Sequence, residues 1–337
     1  MIPVVLVRLI KVLIVLVLLA NLFLWVRPVA LLTLAIVNRS AVCPLSQEFT
    51  IISEDRHYSH ARDRFVKASR LISQDPLGLH LWDTPKGTIW IPADSDQLVT
   101  ALLAEQGLKI YGAGPTGVRP GDVVPDCSAR VGVYTRVALA AGAWVVVAIE
   151  PASENLECLP RNLRTDIAVG RVLVYPKGVW DRDEYLTLAR VGGNSGQDHV
   201  SVDPDGAQRW SKVPLTTIDK LVGELKLERV DFINMDIEGA ERQALAGARD
   251  TLTRHKPRLA VAAYHLPDEP EMLPAVIFQA WSGQQMECGT GRVPGPLGQR
   301  PGRGDVRGRE TRQSPPRSTV PGDSHFVERP AFTLCPV

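Results

Sequence analysis

The 337-residue sequence contains no C-x-x-C pair. Its five cysteines, Cys43, Cys127, Cys158, Cys288 and Cys335, are scattered and odd in number. Neither a zinc site nor a disulfide framework is indicated, and reduced structural thiols are expected. The chain also lacks net charge. Its 38 Lys and Arg oppose 37 Asp and Glu, for a formal charge of +1. That balance gives no electrostatic ground for a nucleic-acid partner, and none is expected. What is present suits a globular protein: 45% hydrophobic and 22% charged residues, enough to bury a core. The length allows two average domains, or one α/β domain with extensions.

Charge is absent locally as well. Val12 to Val26 is a 15-residue run without a charged side chain, about 22 Å as a helix against a hydrocarbon core of about 30 Å. Apolar residues extend it both ways, and Arg8, Lys11 and Arg27 can snorkel to headgroups. A spanning helix over 8–30 is expected, with the lipid bilayer as a partner. A cleaved signal peptide shares the basic start and apolar middle. It needs a small-residue cleavage site, and no clear A-x-A follows the run. A mis-assigned start or a buried apolar hairpin are the other readings. Basic residues flank both ends, so orientation is not specified. A cofactor made in the cytosol would place the catalytic domain on the cytoplasmic side of a single-pass anchor.

Four segments follow: an anchor over 1–40, a helical and linker extension over 41–107, a catalytic α/β domain over 108–288, and a tail over 289–337. Within the extension, helical spacing of Phe65, Val66, Ser69 and Ile72 predicts a helix, with His57 and His60 on it as surface residues. GTIWIP (87–92) reads as a strand. Ala93–Gln106 reads as a helix, capped by Asp94 or Ser95 and by Gly107. Gly112, Gly114 and Gly117 form a literal G-x-G-x-x-G, but Val-Arg-Pro-Gly-Asp follows, so no helix can open on a phosphate there. The motif is read as a loop.

From Asp122 to Tyr264 apolar β runs alternate with helical segments, which predicts a doubly wound, mostly parallel sheet. Strands are expected at Val123–Cys127, Trp144–Ile149, Val172–Tyr175, Phe232–Met235 and Leu259–Tyr264. Helices are expected at Val131–Ala141, Ser153–Asp166, Thr217–Leu225 and Glu241–His255. The 49-residue tail from Gly289 is half Gly, Pro and Arg, eight of each, and is expected to be disordered.

In DVVPDCSARVG the first strand ends on Asp126, so the turn that reaches Gly132 has an acid at its start; the second strand closes on Glu150, eighteen residues after Gly132. Ligands of open α/β sheets bind at carboxyl strand ends. An acid at the turn would repel pyrophosphate, yet it suits the amino and sulfonium groups of S-adenosylmethionine, the expected cofactor. Glu150 can accept from both ribose hydroxyls, since a carboxylate closing an apolar strand has little structural use.

Together GDVVPDCSARVGVYT, VVVAIEPASENLECLPRNL, VPLTTIDKL, VDFINMDIEGAERQALAGA and the strand ending AAYH resemble the FkbM-family methyltransferases, over about 145 residues in the family's order. The resemblance implies a class I, Rossmann-like fold and methyl transfer from S-adenosylmethionine, usually to a hydroxyl oxygen of a sugar, glycan or natural-product scaffold. It assigns Asp126, Ser128, Gly132, Glu150 and Asn155 to the cofactor. By position, Asp236 or His265 is the base, Glu238 lies beside them, and Asp236 with Glu238 would hold any divalent metal.

The chain departs from that family at three places. Ser128 stands where the family has Gly, Pro125 interrupts a central strand, and the two C-terminal strands are expected to be missing, leaving strand five with an open edge. The abrupt onset of the tail resembles a reading-frame change. A methyltransferase-like binding protein without turnover, an NAD-dependent oxidoreductase, and N- or carboxyl-methylation therefore stay open. Glu241 at a helix start is explained by the helix dipole, Thr217 and Asp219 by capping, and His265 equally well by a backbone hydrogen bond.

Overall fold

The computed structural model describes residues 11, 13–19, 45–112, 114–189, 199–201, 210–266, 268–283, 285–288 and 331–336. Among these no helix is long and apolar enough to cross a membrane. Most of the span expected over 8–30 lies outside the described residues. Residues 13–19 are helical, and all seven apolar side chains there are exposed.

The extension is more than a helical linker. Helix α1 (Leu45–Ala68) leads into a three-stranded antiparallel meander, β1 (Arg70–Gln74), β2 (Leu79–Thr84) and β3 (Gly87–Pro92), and then into α2 (Asp96–Leu108). Leu79, Ile89 and Ile91 pack with Val99 and Leu103 of α2 and with Val131, Val133 and Cys158 of the following α/β unit. Ile72, expected on the first helix, lies in β1. Helix α2 continues through Gly107 and ends on left-handed Lys109 (φ 56°). Ser95 holds its N-cap position without a side-chain cap bond. The Gly112–Gly117 segment is a loop with a 3₁₀ turn at Gly114–Thr116, as expected.

The central sheet uses β4 (Val123–Cys127), β5 (Val145–Ile149), β6 (Val172–Tyr175), β11 (Phe232–Met235), β12 (Arg258–Ala263), β13 (Gln285–Cys288) and β14 (Ala331–Pro336). Its order is β13-β14-β12-β11-β4-β5-β6. All pairings in it are parallel. The short Val/Ile runs are buried on both faces, so they show no alternation. Helices α3 (Val133–Ala140), α4 (Ser153–Asn162), α5 (Arg164–Ala168), α6 (Ile218–Glu224), α7 (Glu241–Ala246), α8 (Arg249–His255) and α9 (Glu269–Ala280) complete the described unit. The helix expected over Glu241–His255 breaks at Gly247, where a Cβ would lie 2.1 Å from the Trp180 carbonyl oxygen.

Three results differ from expectation. A four-stranded sheet in the order β7-β10-β8-β9 is inserted after β6, built from β7 (Gly178–Val179), β8 (Glu184–Ala189), β9 (His199–Ser201) and β10 (Trp210–Thr216). The edge of β12 is not open: β14 pairs with it from Leu259↔Phe332 to Ala263↔Pro336, and β13 pairs with β14. The expectation of missing C-terminal strands is therefore corrected, and so is that of a wholly disordered tail. Six apolar or small residues, AFTLCP, suffice to cover a strand edge despite the Gly/Pro/Arg composition before them. Residues 289–330 lie outside the described residues. Both β13 and β14 run parallel to β12.

Pro125 does sit in the central strand. The Asp231 and Asp236 amides donate to the carbonyls of Val123 and Cys127, so odd-numbered residues of β4 face β11. The donor lost at Pro125 therefore faces β11. The β4–β11 ladder covers only Asp126 and Cys127, while β4 pairs with β5 over all five residues.

At the other end of the sheet Arg258 donates to Asp122 at 2.6 Å and to the Gly117 carbonyl, tying the loop before β4 to β12. Both side chains are buried. Arg258→Met should cost about 3–5 kcal/mol in urea unfolding, because it strands the Asp122 charge. Adding Asp122→Asn should restore at least half of that, since the amide still accepts from the Arg119 N–H without a charge. Equal stability of the single and double variants would show that the pair is not what holds this corner.

Candidate functional site

In the sheet order the chain reverses direction between β4 and β11, and crevices at such a reversal take ligands at the carboxyl strand ends. Asp126 is the penultimate residue of β4, Glu150 follows β5, Asp236 follows β11, and Tyr264 and His265 follow β12. The sheet thus brings together residues that are up to 139 positions apart in the chain.

The turn after β4 is strained. Ser128 (φ 69°), Arg130 (φ 51°) and Gly132 (φ 88°) all adopt left-handed conformations. Only glycine does so freely. A Cβ at Gly132 would also stand 2.8 Å from Leu163, so Gly is required there. The Ser128 and Ala129 amides donate to the Ile149 carbonyl, which folds the turn over the end of β5. In this position the Arg130 amide reaches Glu150 Oε2 at 2.8 Å. Ala152 N donates to Glu150 Oε1 at 2.9 Å and Asn155 Nδ2 to the same oxygen at 3.2 Å. Burial pushes the Glu150 carboxyl up, against these donors. An ionised carboxylate has about four acceptor positions, and three are taken by protein donors. Asn155 therefore acts through Glu150.

Asp126 is wholly buried and accepts from Thr135 Oγ1 at 2.6 Å and Asn234 Nδ2 at 3.0 Å. Burial raises its carboxyl to about 6, with the two hydrogen bonds opposing. The Asn234 Oδ1 oxygen beside it is buried without a hydrogen-bond partner. An orphaned acceptor at the strand reversal suits a ligand that brings N–H or other positive groups.

Across the reversal lies a denser cluster. Asp236 accepts from Tyr111 Oη at 2.7 Å and from Tyr264 Oη at 3.1 Å. Arg130 Nη2 lies 2.5 Å from Glu238 Oε1 and 3.9 Å from Asp236. His265 Nε2 is 3.4 Å from both Asp236 and Glu238, while its Nδ1 is 3.2 Å from Glu241 Oε1, off the line of a hydrogen bond. Burial alone would raise the Asp236 carboxyl, but Arg130 and His265 hold it below its ordinary value. Burial raises Glu238, with Arg130 opposing. For His265 burial is outweighed by Glu241, Asp236 and Glu238, which lift it to about 9. Glu269 accepts from the His265 and Leu266 amides, and burial with the Glu241 charge raises it to about 7.

Asp236, Glu238 and His265 thus meet in one cluster; Asp126, Ser128 and Gly132 lie in β4 and the turn after it, which closes over Glu150 and its partner Asn155. Arg130, Tyr111, Tyr264 and Glu269 were not anticipated. Arg130 had a signal, a long cation inside a Gly-type turn; the tyrosines had none. Glu241 does stand at a helix start and accepts from the Ile237 amide, but it is fully buried and faces His265, so the dipole alone does not account for it. The capping readings hold: Thr217 accepts from Lys220 N, and Asp219 accepts from the Asp250 and Thr251 amides that open α8. Cys127 and Cys158 are buried free thiols, raised by burial, Cys158 to about 12. His57 and His60 are exposed.

Residues 126–283 match the family model described as the methyltransferase FkbM domain. The chain is similar to the solved structure of an FkbM methyltransferase from Methylobacillus flagellatus KT, at 20% identity over 68% of this chain and 54% of that one, with a TM-score of 0.37. It is also similar to a candidate RNA methyltransferase from Pyrococcus horikoshii, at 22% identity over 39% of this chain and 47% of that one, TM-score 0.22. A third similar structure, PRMT6-SAH, shares 13% identity over 45% and 39% of the chains, TM-score 0.27. The chain spans about half the length of the first of these structures. No curated protein matches it.

Because the folded value of Asp126 lies above that of an exposed carboxyl, its ionisation opposes folding. Its contribution is fully present below about pH 4 and is lost as pH rises through 6. Asp126→Asn can keep both hydrogen bonds, with Thr135 accepting. Relative to the parent, its stability should rise between pH 4 and 7, by up to about 3 kcal/mol. Parallel pH profiles for the two proteins in thermal unfolding would refute a buried, raised Asp126.

Proposed function

From a chain that carries a methyltransferase FkbM domain over residues 126–283, we propose an S-adenosylmethionine-dependent methyltransferase acting on a hydroxyl oxygen of a sugar, glycan or natural-product acceptor. The observation that carries this reading is Glu150. It is a buried carboxylate at the end of β5, under a left-handed turn whose Arg130 also reaches Glu238 at the end of β11. The residues present fit the cofactor. Glu150 keeps one open acceptor position for a ribose hydroxyl, fewer than a bidentate contact needs, and the free Asn234 Oδ1 with Asp126 behind it suits the cationic amino-acid end. The cofactor supplies an electrophilic methyl group on a sulfonium.

The protein's own task is then alignment and removal of the acceptor proton. Asp236, fixed by two tyrosine hydroxyls, is the group that takes this proton in our reading, and His265 stands 3.4 Å away to balance the charge. Arg130 holds Glu238 away from that exchange. We extend the proposal to an N-terminal membrane anchor with a cytoplasmic catalytic domain, supported by the exposed apolar side chains of residues 13–19.

Calorimetry of the full chain with S-adenosylmethionine tests the core of this reading. Glu150→Gln should weaken binding about 10- to 100-fold, the worth of a charge-assisted hydrogen bond, with thermal unfolding as the check on folding. No heat with S-adenosylmethionine but tight binding of NADH would reverse the reading towards an oxidoreductase. Binding without transfer of labelled methyl to any hydroxyl-bearing pool would instead identify a binding protein. Ser128→Gly relieves a left-handed side chain, so stability should rise by about 1 kcal/mol and cofactor affinity should increase. Unchanged values for both would clear Ser128 of obstructing the site.

A further inference from the structure

We infer that Asp236, Glu241 and His265 form a binding site for a single divalent transition-metal ion at the carboxyl ends of β11 and β12. Each residue offers one ligand atom, and the three atoms lie within 4.8 Å of one another. Ligands around one small cation stand about 3–4 Å apart, given bonds of about 2.0–2.2 Å, so a modest contraction closes the set.

Two further observations point to a ligand rather than to an ion-pair cluster alone. The first is unused acceptors. Glu241 is 0% exposed and its Oε2 has no partner, while Glu269, 1% exposed and reached by the same histidine, has an unpartnered Oε1. The orphaned Glu241 Oε2 beside the imidazole is a buried acceptor that the single histidine does not satisfy.

The second is the histidine's setting. One ring nitrogen faces Glu241 and the other faces Asp236 and Glu238. A metal-bound imidazole commonly gives one nitrogen to the ion and donates its other N–H to a carboxylate. With Nδ1 on the ion, the Nε2–H faces Glu238 and Asp236, both at 3.4 Å; Glu238 takes that second role and Asp236 turns from Nε2 towards the ion. Glu238 is not among the three residues whose ligand atoms converge, and Arg130 holds its Oε1 at 2.5 Å. The expected pair Asp236 and Glu238 is therefore replaced by Asp236, Glu241 and His265.

The donor set of two carboxylates and an imidazole selects the ion class. Mg²⁺ and Ca²⁺ favour oxygen alone, whereas Zn²⁺, Mn²⁺ and Fe²⁺ accept imidazole nitrogen with carboxylates. The ion would take the place of the proton on His265. A hydroxyl coordinated next to Asp236 would lose its proton more readily; this consequence rests on the methyl-transfer reading, but the binding site does not.

Full-length protein, stripped with chelator and dialysed, is titrated separately with Zn²⁺, Mn²⁺ and Mg²⁺, and bound metal is counted. One equivalent of Zn²⁺ is expected, with Mn²⁺ binding more weakly and Mg²⁺ more weakly still. Glu241→Gln and His265→Gln should each lower Zn²⁺ affinity at least 30-fold, while Glu238→Gln, which keeps an oxygen acceptor for the imidazole N–H, should lower it less than either. Cofactor binding and thermal unfolding of each variant show whether it is folded. If Glu241→Gln fails to fold, Asp236→Asn with the same titration replaces it. No uptake by the folded parent, or uptake unaffected in folded Glu241→Gln and His265→Gln, would overturn the site. Metal uptake without methyl transfer would leave the site standing and count against the proposed function.

Discussion

The central constraint in this structure is the placement of charge at the carboxyl ends of a parallel sheet. Asp126, Glu150, Asp236, Glu238 and Glu241 lie within a few residues of strand ends, and all are largely removed from water. Isolated buried carboxylates are costly, so each must be neutralised, hydrogen-bonded or protonated. The chain uses a different means for each. Asp126 has its carboxyl raised to about 6, with Thr135 and Asn234 as donors. Glu150 is held by three N–H groups. Asp236 and Glu238 share Arg130 and His265.

Much of the surrounding structure serves this arrangement. The left-handed turn at Ser128–Gly132 delivers the Arg130 amide to Glu150 and its guanidinium to Glu238, so a single residue links the β5 and β11 strand ends. The segment after α2 brings Tyr111 to Asp236, so the link from the N-terminal extension into the α/β unit is part of the site wall. Strain at Ser128, Arg130 and Glu238 is tolerated because the strands on either side are fully buried and cannot relax. Pro125 adds a weakness at the same place, since the ladder that aligns β4 with β11 is two residues long.

The C-terminal region carries a separate lesson. Composition argued against any strand after Gly289, yet a sheet edge needs only a short run that can pair. Ala331–Pro336 meets that need beside β12. A residue census averages over a window much longer than a strand and so misses it. The inserted four-stranded sheet between β6 and α6 escaped for a related reason. Antiparallel pairing between β8 and β10 joins segments more than twenty residues apart, and nothing local marks their register.

The sequence by itself determined the main α/β pattern. Val172–Tyr175 and Phe232–Met235 were legible to the residue, because short apolar runs between polar turns leave little choice of structure, and Val123–Cys127 was legible despite Pro125 and Asp126. Candidate site residues at strand ends were legible for the same reason: the parallel sheet dictates where its carboxyl ends lie. Only the tertiary structure decided what those residues touch. That Arg130 and not solvent faces Glu238, that Glu241 turns to His265, and that two tyrosines hold Asp236 depend on contacts across as many as 125 residues. Burial and charge at such contacts arise when separate strands close on one another, and no local spacing encodes them.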